Sequence, residues 1–281
     1  MKRTLVFFSV LLIAVGAFAQ NVPETNPKHY FPTQGWARPG GGGNQNLNYL
    51  GGPVIPVAHV VMIFWGPSFN DPTSADYSYA REIQNFRSQF GTTGEYNTIT
   101  QYYQSGPTYI QQTNLGGGSA DMFDTTNPPT NVTDSAVQSE VVKYLGSHTF
   151  DNSAIYEVFI PATSYSSSGT ETSCGGPNLY YCAYHGHFSS GGHDVKYSIE
   201  PYPSCSGCTV GGWTAAQNQE HFVCHETREA VTDPDLNAWG DRRGNEADDK
   251  CAWSPTPFIG TGGYGYQYEW SNANGGCVRT R

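Results

Sequence analysis

Residues 211–233 read GGWTAAQNQEHFVCHETREAVTD, and the fold and the chemistry both turn on this stretch. Gly211 and Gly212 break what precedes it, Thr214 is a capping residue, and no proline intervenes before Pro234. The pattern predicts a helix that Pro234 ends. Inside it lies His225-Glu226-Thr227-Arg228-Glu229. Successive residues turn by about 100°, so positions four apart lie about 40° apart around the axis, and His225 and Glu229 share a face. An imidazole nitrogen and a carboxylate oxygen one turn apart can grip a divalent ion, and Glu226 is placed to orient or deprotonate a water on that ion. This is the logic of H-E-x-x-H with the second histidine replaced by glutamate, a zincin-like helix. The plainer alternative is a surface helix on which His225 is merely polar, Glu226 and Glu229 are solvated, and Arg228 pairs locally.

Downstream, Asn245-Glu246-Ala247-Asp248-Asp249 is an acidic cluster at a distance similar to that at which thermolysin-like enzymes find a carboxylate ligand on a second helix. Glu246 is the candidate third ligand. Asp249 is the candidate for the carboxylate that stands behind His225 and holds its other ring nitrogen. His221, one turn before His225, and His185 are alternative ligands. Zinc is the expected cofactor, and Ca2+ or Mn2+ also fit, because two carboxylates and one histidine make a harder, more anionic site than His2Glu.

The first residues address the compartment. Lys2 and Arg3 precede an apolar run from Leu5 to Val15, and Ala17-Phe18-Ala19 forms an A-x-A cleavage pattern before Gln20. A signal peptide over 1–19 is expected, and with it a secreted protein, extracellular or periplasmic. No second apolar run approaches a membrane span. A net charge of −10 with only 14 Lys and Arg argues against a nucleic acid partner, which needs clustered cations. The 19 tyrosines suit peptide or sugar binding through exposed faces, or equally a β-rich domain whose tyrosine hydroxyls reach water.

All seven cysteines lie in the second half, and in an exported chain they read as disulfides. Loop length favours Cys174 with Cys182 and Cys251 with Cys277, although connectivity is open at this level. Cys205-Ser-Gly-Cys208 reads as a small disulfide loop in preference to half a zinc site. One cysteine is left over, and Cys224, mid-helix beside His225, is the expected buried thiol.

Residues 20–48, rich in Pro, Gly and Asn, read as an arm or linker with no core to bury, and 49–281 as a single globular domain. Within it, Ala58–Trp65 is an apolar run that predicts a strand covered on both faces, with His59 structural at its edge. Residues 74–90 predict an amphipathic helix. Asp134 to Leu145 predict a second, capped by Asp134, with Val137, Val141, Val142 and Leu145 inward. Strands are expected at 154–161, 180–188, 195–202 and 264–272. His185 and His187, two apart, could face one metal from a strand, or Gly186 between them could mark a loop. The fold class is α/β (α+β): a mixed sheet flanked by helices, with a disulfide-bonded C-terminal half.

From Gly51 to Cys277 the chain resembles the plant phosphate-induced (EXORDIUM-like) proteins and their bacterial and fungal extracellular relatives. The resemblance rests on Gly51-Gly52-Pro53-Val54-Ile55, Ile63-Phe64-Trp65-Gly66, Cys182-Ala183-Tyr184-His185 and Glu229-Ala230-Val231-Thr232-Asp233-Pro234. Asn237-Ala238-Trp239, Glu246 to Cys251, and Trp270-Ser271-Asn272 with Cys277 follow in the same order. It implies an extracellular or wall-associated protein. With His225, Glu226, Glu229, Glu246 and Asp249 present, the chain is similar to the bacterial, zincin-like branch. The expectation is an exported zinc metallopeptidase acting on extracellular peptide or protein, with Glu226 as general base. The alternative is a non-catalytic carbohydrate- or cell-wall-binding module, polysaccharide then being the ligand.

Overall fold

The structure, a computed structural model, describes residues 27–36 and 45–281. The expected signal peptide and the Pro39–Asn44 glycine run lie outside these residues. A six-stranded mixed sheet comprises β1 (Lys28–Pro32), β2 (His59–Trp65), β3 (Met122–Asp124), β4 (Ala154–Ile160), β5 (Tyr181–Ser190) and β6 (His193–Pro201). Their spatial order is β1-β5-β6-β4-β2-β3. The β1–β5 and β5–β6 pairs are antiparallel and the others parallel. Three long helices flank the sheet: α1 (Ala75–Phe90), α2 (Asp134–Leu145) and α3 (Ala215–Thr232).

Alternation along the strands sorts side chains to two faces. Val60, Met62, Phe64, Ile155 and Phe159 pack with Ile83, Phe86 and Phe90 of α1 and Val223 and Val231 of α3. Val61, Ile63, Tyr156, Val158 and Ile160 pack on the other face with Val137, Val141 and Tyr144 of α2. Covering both faces explains why β2 and β4 read as nearly unbroken apolar runs.

Helix α3 begins at a capping box, in which the Thr214 hydroxyl accepts from the Gln217 amide and the Gln217 side chain accepts from the Thr214 amide. From Asn218 to Thr232 every residue is buried, so the surface-helix alternative does not describe it. A helix buried all round is ordinarily apolar. This one carries His, Glu, Gln, Thr and Arg, whose polar groups need partners inside the protein. The sheet supplies several of them in one line across four strands, since His29 pairs in register with His185, His185 with Ser198, and Ser198 with Glu157. Glu157 accepts from the Thr227 hydroxyl at 2.7 Å, and Glu226 meets His185. Arg228 is paired at long range, with Asp248 and with Glu269 at 2.9 Å.

Several expectations are corrected. The 20–48 stretch is not without a core: Phe31 of β1 is fully buried, stacked on His225 at 4.2 Å and on Trp253 at 5.2 Å. The cap of α2 is Thr133, because Asp134 is buried and committed to the hydroxyls of Tyr184 and Tyr197 and to Lys28. Val142 faces outward while Val137 and Val141 face in. The 264–272 segment is two short strands: Gly265–Tyr266 pairs with Phe258–Ile259, and Glu269–Ser271 with Gly276–Val278.

The disulfides are Cys174–Cys205, Cys182–Cys208 and Cys251–Cys277, with Cys224 free and buried. The last pairing and the free thiol are as expected. The other two differ because Cys205 and Cys208 each reach across to a separate segment and do not close on each other. No helix among the described residues is long and apolar enough to cross a membrane.

Candidate metal centre

Three imidazoles converge beneath α3 in one pattern. Each spends one ring nitrogen on a fixed acceptor and turns the other toward carboxylates. His185 has Nδ1 3.0 Å from Glu226 Oε2, and its Nε2, 3.7 Å from Glu246 Oε1, has no hydrogen-bond partner. His29 has Nε2 3.0 Å from Asp249 Oδ2, and its Nδ1 faces Glu246 Oε1 at 3.0 Å and Glu229 Oε2 at 3.4 Å, hydrogen-bonded to neither. His225 has Nδ1 3.2 Å from Gln267 Oε1, while its partnerless Nε2 faces Glu229 Oε2 at 3.1 Å and Asp249 Oδ1 at 3.9 Å. Gln267 can only accept there, because its amide nitrogen already donates to Asp248. In the neutral ring an acceptor behind each imidazole takes the proton and leaves the lone pair forward, as outer partners do for metal-ligating histidines.

The carboxylates are arranged to match. Glu229 Oε1 accepts from the Asp249 amide at 3.0 Å, leaving Oε2 free, and Asp249 Oδ2 accepts from the Glu246 amide at 3.0 Å. Glu229 Oε2 and Glu246 Oε2 are buried without a hydrogen-bond partner. Lone pairs facing carboxylate oxygens over 3–4 Å repel unless something positive lies between them, and buried polar groups left unpaired are costly. The donors form two sets, His29, His185, Glu229, Glu246 and His225, Glu229, Asp249, each with all its donor atoms within 4.8 Å of one another. All are nitrogen or oxygen. The one free thiol, Cys224, belongs to neither set, and burial pushes it up to about 12.

Electrostatics follow from this packing. Burial pushes His185 down to about 3. His29 is raised despite burial, chiefly by Asp249 and Glu246, and His225 is raised despite burial by Glu229. Glu226 is raised by burial and by its neighbours Glu200 and Glu229. The cluster meets solvent at His29 and Asp249, whose side chains are 22% and 10% exposed against 0–4% for the other members.

Of the residues singled out in the sequence, His225, Glu229, Glu246, Glu226, Asp249 and His185 meet here, in a different division. His225 and Glu246 share no donor set, because Glu246 lies with His29 and His185 while His225 lies with Asp249. Gln267, not Asp249, holds the other ring nitrogen of His225. His221 is excluded, its Nε2 3.0 Å from the same Gln267 oxygen and its ring against Trp253. His187 parts from His185: its Nδ1 is 2.8 Å from Asp194, and the Lys196 ammonium occupies the space between Asp194 and Asp235. His59 pairs with Asp151 at 2.8 Å, a structural role.

The residue that sequence reasoning missed is His29. Its only local signal is Lys28-His29-Tyr30-Phe31, a short aromatic run bounded by Pro27 and Pro32. Prolines argue against a strand unless it lies at an edge, and β1 is an edge strand with an irregularity at Pro32.

No protein-family model, no curated protein and no solved structure matches this chain.

Proposed function

We propose that this protein is an exported metal-dependent hydrolase, with zinc as the metal and peptides as the substrate class, related to the bacterial extracellular branch of the phosphate-induced proteins. The observation that carries the reading is the convergence of unpartnered, buried donor atoms from His29, His185, Glu229 and Glu246. Two imidazoles with two carboxylates suit zinc better than calcium, which prefers an all-oxygen shell. A divalent ion so held supplies a Lewis acid and an acidified water. Glu226 holds His185 through Oε2, and its unpartnered Oε1 is the group left to take a proton. Three disulfides fit the oxidising compartment that export implies.

The test is a split between two carboxylates. Glu229→Ala should lose the metal from protein purified without chelator. Glu226→Gln should keep it, since an amide oxygen still accepts from His185, and should slow cleavage of a quenched-fluorescent peptide library by about 10²- to 10⁴-fold. If neither substitution changes metal content or heat stability, the metal reading is abandoned. The carbohydrate- or wall-binding alternative has one observation in its favour, Trp36, which is 62% exposed and packs on Tyr180 at 5.3 Å. Metal-loaded protein that cleaves no peptide but binds insoluble polysaccharide through Trp36 would favour it.

A further inference from the structure

We propose that the centre takes two divalent cations, bridged by the Glu229 carboxylate. This deepens the metal-centre reading above and rests on it. The two donor sets have only Glu229 in common. Its Oε2 faces His29 Nδ1 at 3.4 Å on one side and His225 Nε2 at 3.1 Å on the other. Donors bound at about 2.0–2.2 Å to one ion lie roughly 3–4 Å from one another, so each set has the spacing of a coordination shell. A carboxylate shared between ions about 3.5–4 Å apart is the usual frame of a two-metal hydrolytic site.

The second position is built from three commitments. The Nδ1 proton of His225 goes to Gln267, whose orientation Asp248 fixes, so Nε2 presents a lone pair. Asp249 gives Oδ2 to His29 and to the Glu246 amide, so Oδ1 is the oxygen turned to His225. Glu229 gives Oε1 to the Asp249 amide, so Oε2 is the oxygen turned inward. His225 Nε2 and Glu229 Oε2 are both buried and without a hydrogen-bond partner. They have no proton to share in this tautomer, and the set that holds His29, His185 and Glu246 contains neither His225 nor Asp249. The nitrogen and oxygen donors select the Zn2+, Mn2+ and Co2+ class.

The test is stoichiometry on the full exported protein, dialysed against Zn2+ or Mn2+ and measured by elemental analysis. About two equivalents are expected, falling to about one in His225→Gln and in Asp249→Asn, whose amide oxygen can still accept from His29, with the first position still filled. A value of about one in the wild type overturns the second position and leaves the first standing, a proton on His225 then taking the place of the ion. A value near zero overturns both. Because either variant could fail to fold, the Mn2+-loaded wild type is also read by electron paramagnetic resonance. An exchange-coupled pair is expected, and a simple six-line mononuclear spectrum overturns the proposal.

Discussion

The imidazoles of His29 and His185 sit opposite each other across the β1–β5 pair, in register and edge to face, with ring centroids 5.9 Å apart. One comes from the edge strand nearest the N-terminus and the other from the middle of the chain. The centre is therefore as good as the docking of β1, and Phe31, two residues on from His29 and on the same face, is the anchor of that docking.

His29→Ala should weaken metal binding by at least about 100-fold while leaving secondary structure intact, since more than a fifth of the side chain is in solvent. Phe31→Ala should cost about 3–5 kcal/mol of stability and weaken metal binding as well, although Phe31 offers no ligand atom. Competition with a metal-buffering dye and denaturant melts read the two quantities. Wild-type affinity in His29→Ala would remove β1 from the site.

Chelation should lower the melting temperature, because an ion that binds only the folded chain stabilises it by about 2.7 kcal/mol at a hundredfold excess over Kd. Calorimetry before and after stripping, and again after Zn2+ is returned, makes the comparison. Identical melts in all three samples would mean that nothing in the fold depends on an ion.

Glu157 predicts a pH dependence away from the donor sets. Burial pushes its carboxyl up to about 8, with the Thr227 hydroxyl as its one donor. Between its unfolded value of about 4.5 and about 8 the folded state holds a proton that the unfolded state has lost, so stability falls as pH rises through that window, by at most about 1.4 kcal/mol per pH unit. Glu157→Gln has no such proton. It should flatten that slope and gain on the wild type toward pH 8, both measured in chelator. Parallel slopes for the two proteins would place the titrating group elsewhere.

Thiol titration of denatured, unreduced protein should find one reactive group, Cys224, and native protein should react slowly because that thiol is buried. Peptide mapping should recover Cys174 with Cys205 and Cys182 with Cys208. Removing the Cys182–Cys208 pair as a double serine variant should cost about 2–4 kcal/mol, since it ties β5 to the segment leading into α3. A Cys205–Cys208 peptide in the map would contradict the fold at this point.

Helix α3, its cap at Thr214 and its stop at Pro234 are legible because each signal is local: a capping residue, an interior that tolerates helix and a proline. The strands β2 and β4 are legible for the same reason. His29 is not, because what makes Lys28–Pro32 a strand is pairing with residues about 150 positions away, which no local pattern records. The disulfide partners of Cys174 and Cys182 were missed because loop length ranks closure entropy and says nothing of where segments meet. Glu246 and Asp249 are legible as a pair near the helix, but Glu246 turns to His29 and His185 in place of His225, and Asp249 faces the Nε2 of His225 and not its other ring nitrogen: the spacing of an acidic cluster brings it near a helix and does not orient its members. Gln267 carried no metal signal at all, being a neutral amide whose importance is only that its oxygen is held in place.

The donors of the centre run from residue 29 to residue 249, and the set of His29, His185, Glu229 and Glu246 cannot be completed by a contiguous half of the chain. Closing so long a loop is slow compared with forming α3 or the β5–β6 hairpin, so these local pieces should exist before the strand carrying His29 arrives. Full-strength ion capture thus marks the end of folding, and a metal-sensitive probe at this site doubles as a clock for the last event in maturation.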